Sequence, residues 1–100
     1  MLSSLTIRGQ VFTPALFCAP MVGLTHCAFR RLLAGFGGYG ALFTEMLSAR
    51  ALLFESPTYS TFIRRRPEEG PVIYQLLAHG GEDFPAVIER IQGCGAAGID

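Results

Sequence analysis

Short, continuous apolar runs recur along the chain, separated by longer amphipathic stretches, and this alternation predicts the fold. The apolar runs occupy residues 15–19, 41–44 and 72–77, and residues 99–100 look like the beginning of a fourth. Runs of this length and character are typical of strands that are buried on both faces. They predict three complete strands and the start of another in a parallel sheet.

Amphipathic stretches at residues 26–35 and 82–94 predict two helices. In each, apolar side chains recur at the i, i+3, i+4 and i+7 positions that line one buried face of a helix. These side chains are Phe29, Leu32, Leu33 and Phe36 in the first stretch, and Phe84, Val87, Ile88 and Ile91 in the second. We expect Thr25 to cap the N-terminus of the first helix.

The remaining pattern predicts shorter elements. Residues 5–7 and 11–12 are β-prone pieces that flank Arg8-Gly9-Gln10, which predicts a small N-terminal hairpin. Residues 46–54 and 58–64 are interpreted as two short helices, with a break at Pro57. A polar loop at residues 64–71 leads into the third strand.

Strands that alternate with helices indicate an α/β fold with a parallel sheet and crossover helices. Two architectures fit this order, a doubly wound sheet and a (β/α)₈ barrel. A full barrel needs about 250 residues. In the barrel case, the 100 residues would form an incomplete N-terminal part, residues 1–100, with about three βα units and the start of strand 4.

Composition narrows the class of protein. Half of the chain is hydrophobic and 16% is charged, which argues against disorder, and the net charge of zero gives no sign of an overall basic nucleic-acid binder. The three cysteines form no CxxC pair, so we expect reduced thiols and no metal site.

No apolar run approaches the length of about 20 residues that a membrane span needs. We therefore expect a cytoplasmic protein.

Candidate binding residues follow from the position of the strands. Ligands of parallel α/β folds bind at the C-terminal ends of the strands, here residues 20–23, Glu45, Gln75 and Asp100. The Gln75 amide offers a donor and an acceptor that match the adjacent N–H and C=O of a flavin or a uracil. The alternative is a hydrogen bond from Gln75 to the backbone of a neighbouring loop. Residues 20–23 either present backbone amides to a planar ligand or form an ordinary β-α turn.

Charged residues near these strand ends leave two functions open. Glu45 is a candidate base or hydrogen-bond acceptor, although we favour a structural pairing with Arg50. Residues 64–66 are three consecutive arginines that, with Arg50, form either a phosphate-binding patch or a solvated face. We assign no role to His26 or His79.

Five short motifs follow one another along the chain. They are an APM-x-G-x-T opening at residues 19–25, Phe29-Arg30-Arg31, a TEM-x-SA signature at residues 44–49, a P-x-x-x-QL strand at residues 71–76 and GA-x-GID at residues 95–100. Together they resemble the motifs of the tRNA-dihydrouridine synthase family. Three positions depart from the family pattern: His26 replaces the usual aspartate or asparagine, and Ala78-His79 replaces a glycine and a small polar residue.

The resemblance implies a (β/α)₈ barrel with FMN at its mouth that reduces uridine in tRNA to 5,6-dihydrouridine, with NADPH as reductant. It implies that Pro20, Met21 and Val22 contact FMN and that Gln75 hydrogen-bonds the flavin ring. Arg50 is the candidate RNA contact.

The resemblance also implies where the catalytic cysteine lies. In the family this cysteine lies in an N-x-G-C-P loop, which we expect just beyond Asp100. Cys94 is on the preceding helix and does not replace it. We therefore expect the 100 residues alone to be inactive.

Two other readings stay open. One is another FMN-dependent barrel oxidoreductase, such as a dihydroorotate dehydrogenase-like protein, although it would lack the signature at residues 44–51. The other is a catalytically inert half-barrel that associates with itself through an exposed strand edge.

Overall fold

Eight short strands and three helices make up the computed structural model, which describes residues 3–100. The strands are β1 Leu5–Ile7, β2 Gln10–Phe12, β3 Phe17–Cys18, β4 Ala41–Phe43, β5 Leu47–Ser48, β6 Val72–Tyr74, β7 Leu76–Leu77 and β8 Gly98–Ile99. The helices are α1 Cys27–Phe36, α2 Ala49–Leu52 and α3 Phe84–Gly93, and Pro67–Glu69 forms a 3₁₀ turn.

The central feature is a four-stranded parallel sheet with the strand order β3-β4-β6-β8. Leu42 pairs with Val72, and Ile73 pairs with Gly98, so the strands add in sequence order. The predicted α/β class with a parallel sheet is therefore confirmed. The predicted hairpin is also present, as the antiparallel pair β1 and β2.

The two faces of the sheet are covered differently. The face toward the helices carries Leu42, Val72 and Tyr74, which are fully buried against Val87 and Ile91 of α3. We call this the helix-covered side. Apolar surface buried in this way stabilises the fold by about 25 cal/mol per Å².

The opposite face carries half-buried aromatic side chains. The Phe17 ring meets Phe12 of the hairpin edge-on at 5.1 Å between centroids and lies 6.3 Å from Phe43. Together with Ile73 and the hairpin, these rings line a cavity of about 500 Å³. The hairpin thus covers part of a face that the helices leave open.

The interpretation of residues 46–54 as a helix is wrong for its first part. Leu47–Ser48 is a strand that pairs with β7, and the helix is a single turn, Ala49–Leu52. The Leu47 N–H donates to the Gln75 carbonyl at 2.8 Å, so the backbone is committed to a sheet ladder before the helix begins.

The short helix predicted for residues 58–64 is absent, and turns take its place. The Ser56 hydroxyl accepts the Thr58 N–H, and the Ser60 hydroxyl accepts the Phe62 N–H, both at 3.2 Å. Serine hydroxyls that bond to nearby backbone amides compete with helical hydrogen bonds.

The third predicted strand is divided at Gln75. Residues 72–74 pair with β4 and β8, whereas residues 76–77 pair with β5 in a separate two-stranded sheet. Gln75 therefore lies at the point where the chain leaves the main sheet.

The first helix differs from prediction in its cap and in its buried face. His26 is the N-cap, and its Nδ1 accepts the Phe29 N–H at 3.3 Å. Arg30 is fully buried, while Leu32 and Phe36 are 60% and 82% exposed. Arg30 forms a buried ion pair with Glu69, so the helix buries the face that carries Arg30 and leaves part of the predicted apolar stripe exposed.

The second long helix is closer to prediction. Asp83 caps it, and Pro85 lies in its first turn, where a missing N–H costs no helical hydrogen bond. Val87 and Ile91 are buried as expected, whereas Phe84 and Ile88 are more than a third exposed.

Candidate functional site

The turn that follows β3 comprises residues 20–23 and is closed by its own hydrogen bonds. The Met21 carbonyl accepts the N–H groups of Leu24 and Thr25, both at 3.0 Å. The Thr25 hydroxyl accepts the Met21 N–H at 3.0 Å and donates to the Met21 carbonyl at 2.9 Å. Val22 is 79% exposed, and its N–H has no acceptor within residues 3–100. Pro20 is half-buried, so the turn presents Met21 and Val22 outward.

Glu45 holds the other end of this turn. Its Oε2 accepts the Gly23 N–H at 2.9 Å, and its side chain is only 7% exposed. Gly23 has a φ of 78°, a left-handed conformation that favours glycine. The structural role expected for Glu45 is present, but the partner is the Gly23 backbone rather than Arg50.

Thr44 links Glu45 to Gln75. The Thr44 hydroxyl donates to the Glu45 carbonyl at 2.9 Å and accepts the Gln75 N–H at 3.1 Å. The Gln75 amide Nε2 donates to Asp100 Oδ2 at 2.8 Å. The hydrogen-bond partner of this amide is therefore a side chain, not the loop backbone considered from the sequence.

Hydrogen bonds thus connect all four strand ends. We call this connected row, made of Gly23, Thr44, Glu45, Gln75 and Asp100, the strand-end edge. Sequence reasoning placed four of these residues together but missed Thr44. The signal for Thr44 in the sequence was its hydroxyl, which lies between an apolar strand and Glu45. A hydroxyl buried at such a position needs a hydrogen-bond partner.

A cavity of about 500 Å³ lies between α2 and the loop that precedes α3, next to the paired strands β5 and β7. Arg50, Ser48, His79 and Glu82 line it, together with Leu53, Phe54, Leu77, Gly81 and Asp83. Arg50 is exposed. The guanidinium therefore remains available to a ligand in this cavity.

The loop before α3 is organised by Glu82. Its carboxylate accepts the His79 N–H at 2.7 Å and the Gly80 N–H at 3.0 Å. The His79 N–H, and with it the N–H groups of Gly80 and Gly81, lowers the pKa of the Glu82 carboxyl below its usual value. His79 contributes its backbone to this loop, and its side chain lines the cavity.

The arginine run at residues 64–66 is half-buried rather than a solvated face. Arg65 donates to the Gly70 carbonyl through Nη2 at 2.7 Å and through Nε at 3.2 Å. The Arg64 carbonyl accepts from Arg30 at 2.6 Å. Much of this run is therefore occupied in shaping its own loop.

A buried ion pair joins that loop to α1, and sequence reasoning missed it. Arg30 Nε lies 2.7 Å from Glu69 Oε1, and both side chains are 0% exposed. Arg30 Nη1 also donates to the Thr25 carbonyl at 2.7 Å. Glu69 Oε2 accepts the Arg66 N–H at 2.8 Å. Because the partners are 39 residues apart in the chain, no local pattern signals the pair.

The three cysteines are free, and none of them hydrogen-bonds to a residue of the strand-end edge. Cys18 lies within β3, Cys27 begins α1, and Cys94 follows α3 near the start of β8. Burial raises the pKa of the Cys18 and Cys94 thiols above their usual value.

Metal-binding clusters and membrane-spanning helices are both absent from residues 3–100. No group of three or more histidine, cysteine or acidic side chains is arranged to hold a metal ion there. Within the same range, none of the helices has the length and apolar character that crossing a membrane requires.

Comparison with known proteins agrees with the resemblance seen in the sequence. The family model described as dihydrouridine synthase (Dus) matches residues 17–100. A comparison with curated proteins gives no match. The matched residues include all four strands of the parallel sheet and the whole strand-end edge. The family is a TIM-barrel oxidoreductase family, and the parallel βα order observed here accords with it. The chain belongs to the dihydrouridine synthase family.

Proposed function

We propose that the protein is an FMN-dependent tRNA-dihydrouridine synthase that reduces uridine to 5,6-dihydrouridine with NADPH as reductant. Family membership supports an oxidoreductase of this kind. It also favours this reaction over that of a dihydroorotate dehydrogenase-like barrel. The half-barrel reading, association through an exposed strand edge, stays a prediction.

The observation that carries the proposal is the state of the Gln75 amide. Its Nε2 is committed to Asp100 at 2.8 Å, while its Oε1 has no partner within residues 3–100. Gln75 is half-buried, at a strand end where ligands of parallel folds bind. A free, oriented carbonyl acceptor at this position fits an N–H on the edge of a planar ring.

The turn at residues 20–23 fits the same ligand. The Val22 N–H is a free donor within residues 3–100, and exposed Met21 and Val22, with half-buried Pro20 beside them, form the surface of the turn. With Gln75 they would hold FMN by one acceptor, one donor and apolar contact. FMN, when bound, supplies the hydride that the uracil ring receives.

The cavity at Arg50 is where we place the RNA contact. A base inside a stacked helix is out of reach of a barrel mouth, so the target uridine leaves its stack to react. Arg50 is exposed and able to pair with a phosphate next to the displaced base.

The proton of the reaction comes from a group other than the cysteines seen here. Cys18 ends β3, Cys27 begins α1 and Cys94 follows α3, and none of them hydrogen-bonds to the strand-end edge. Burial raises the pKa of the half-buried Cys18 and Cys94 thiols, which makes each a weaker acid than an ordinary thiol. We therefore expect the 100 residues by themselves to reduce no uridine.

The test is flavin content and uridine reduction in the protein as its gene encodes it. We expect a yellow protein that forms dihydrouridine in bulk tRNA. At free FMN concentrations well below the dissociation constant, Gln75→Leu should lower flavin occupancy about tenfold, because the loss of one hydrogen bond of about 1.4 kcal/mol raises that constant about tenfold. Gln92→Leu is the matched control, because Gln92 is exposed on α3. A colourless wild-type protein would overturn the cofactor, and equal occupancy in the two variants would overturn the role of Gln75.

A further inference from the structure

The Thr25 side chain is placed unusually for a threonine beside a turn. It is fully buried, and its single hydroxyl makes two hydrogen bonds to one residue, Met21. The Thr25 N–H adds a third bond, to the Met21 carbonyl at 3.0 Å. Both polar backbone groups of Met21 are therefore fixed by Thr25.

Thr25 is itself anchored from behind. Arg30 Nη1 donates to the Thr25 carbonyl at 2.7 Å, and Arg30 is held by Glu69 at 2.7 Å. Thr25, Arg30 and Glu69 are each 0% exposed, so water does not compete for these hydrogen bonds. Hydrogen bonds that involve a charged group are stronger than neutral ones, so the anchor is stiff.

The turn is held on its other side by the sheet. Glu45 accepts the Gly23 N–H at 2.9 Å, and Thr44 fixes the Glu45 carbonyl. Val22 lies between these two anchors and is 79% exposed. The anchors therefore set where the free Val22 N–H points without using it.

We propose that Thr25, anchored by the buried Arg30–Glu69 pair, is a positioning residue that sets flavin affinity through the Met21–Gly23 turn without touching the flavin. The inference rests on the proposed function, since it assumes that this turn contacts FMN. A turn that is fixed before the ligand arrives loses less conformational entropy on binding, which raises affinity.

Thr25→Val tests the hydroxyl, because valine keeps the shape and removes both bonds to Met21. We expect the dissociation constant for FMN, measured by quenching of flavin fluorescence in the gene-encoded protein, to rise about tenfold. Thr25→Ser keeps the hydroxyl and should stay within about threefold of wild type.

Tyr74→Phe is the matched control. It removes another buried hydroxyl, which donates to the Ile63 carbonyl at 2.7 Å on the helix-covered side. We expect it to lower the melting temperature at least as much as Thr25→Val, with the wild-type dissociation constant retained. A purely structural role for Thr25 would instead make affinity follow stability in both variants.

Amide hydrogen exchange gives a second readout that needs no flavin. Met21 and Gly23 should exchange faster in Thr25→Val and not in Tyr74→Phe. If Thr25→Val does not fold, Glu45→Met tests the other anchor, with the same rise in dissociation constant expected. Wild-type affinity in Thr25→Val, or in Glu45→Met if it is needed, overturns the positioning role, whereas a wild-type protein without flavin affinity overturns the proposed function itself.

Discussion

The strand-end edge and the Arg30–Glu69 pair use similar side chains for opposite purposes. Arg30 and Glu69 are fully buried, and Arg30 Nε, Nη1 and Nη2 and both Glu69 oxygens have protein partners. At the edge, Gln75 uses one amide group and leaves the other free, and it is half-exposed. Complete hydrogen bonding of buried polar groups is typical of a structural network, whereas unused hydrogen-bonding capacity at a strand end is what we expect of a binding surface.

The difference has an energetic consequence. A buried ion pair offers little net stabilisation over apolar packing. Removal of one partner, however, leaves the other charge buried with neither a counter-charge nor water around it. A half-exposed amide pays no such penalty, since water replaces a lost partner. Variants of the two regions should therefore separate stability from ligand binding.

The largest expected effect is at Glu69. Glu69→Ala leaves the buried Arg30 guanidinium without its counter-charge and should lower the free energy of unfolding by about 3–5 kcal/mol. Urea denaturation followed by circular dichroism measures this. Glu68→Ala is the control, because Glu68 is the exposed neighbour in the same 3₁₀ turn and should change stability by less than about 0.5 kcal/mol. Equal effects would mean that the pair is not the structural network described here.

Tyr74 should give the next largest effect and a pH dependence. Tyr74→Phe removes the bond to the Ile63 carbonyl and should cost about 1–2 kcal/mol at neutral pH. Burial raises the pKa of the Tyr74 phenol above its ordinary 10.0. The unfolded chain therefore ionises first, and the contribution of Tyr74 is present below pH 10 and declines as pH rises above it.

Thermal melts of wild type and Tyr74→Phe at pH 7 and at pH 11 test this expectation. The difference in melting temperature should shrink at the higher pH. Tyr59→Phe, at a position that is 82% exposed, should match wild type at pH 7. A difference that is constant with pH would place the Tyr74 hydroxyl in contact with solvent.

Local patterns predicted the strands of the parallel sheet and the two long helices, but not the short helices or, for α1, which side chains are buried. The parallel sheet and α3 follow from continuous apolar runs and from the buried pair Val87 and Ile91. The buried face predicted for α1 was wrong, because Arg30 is buried there in its contact with Glu69. In this helix a tertiary contact outweighs the apolar periodicity. The strand break at Gln75 was also missed, since a change of strand partner leaves no mark in an apolar run.

The sequence predicted which residues form the candidate site but not the hydrogen bonds that connect them. Strand ends in a parallel fold converge, so residues 20–23, Glu45, Gln75 and Asp100 were identified together. The partner of Glu45 is a backbone N–H, which sequence does not display, and the partner of Gln75 is a carboxylate 25 residues away. Hydrogen-bond partners of this kind are set by the fold and not by spacing along the chain.

The edge should tolerate substitution with little loss of stability. Gln75→Leu removes one half-exposed hydrogen bond to Asp100, so the free energy of unfolding should fall by less than about 1 kcal/mol. Denaturation of the flavin-free protein measures it, with Gln92→Leu as the control. A loss as large as that of Glu69→Ala would remove the distinction between the two regions.

The smallest expected effect lies in the loop that borders the cavity, at Glu82. The His79 N–H and its neighbours lower the pKa of the Glu82 carboxyl below its ordinary 4.5, so the folded state keeps the carboxylate when the unfolded chain protonates. The contribution is present above pH 4.5 and disappears as pH falls through the folded-state pKa. Glu82→Gln should therefore lower the melting temperature slightly at pH 7, and the difference from wild type should shrink as the pH falls toward 3. Glu89→Gln, on the exposed surface of α3, should match wild type at both pH values. A Glu82→Gln difference that persists at pH 3 would mean that the glutamate shape, and not its charge, organises the loop beside the cavity.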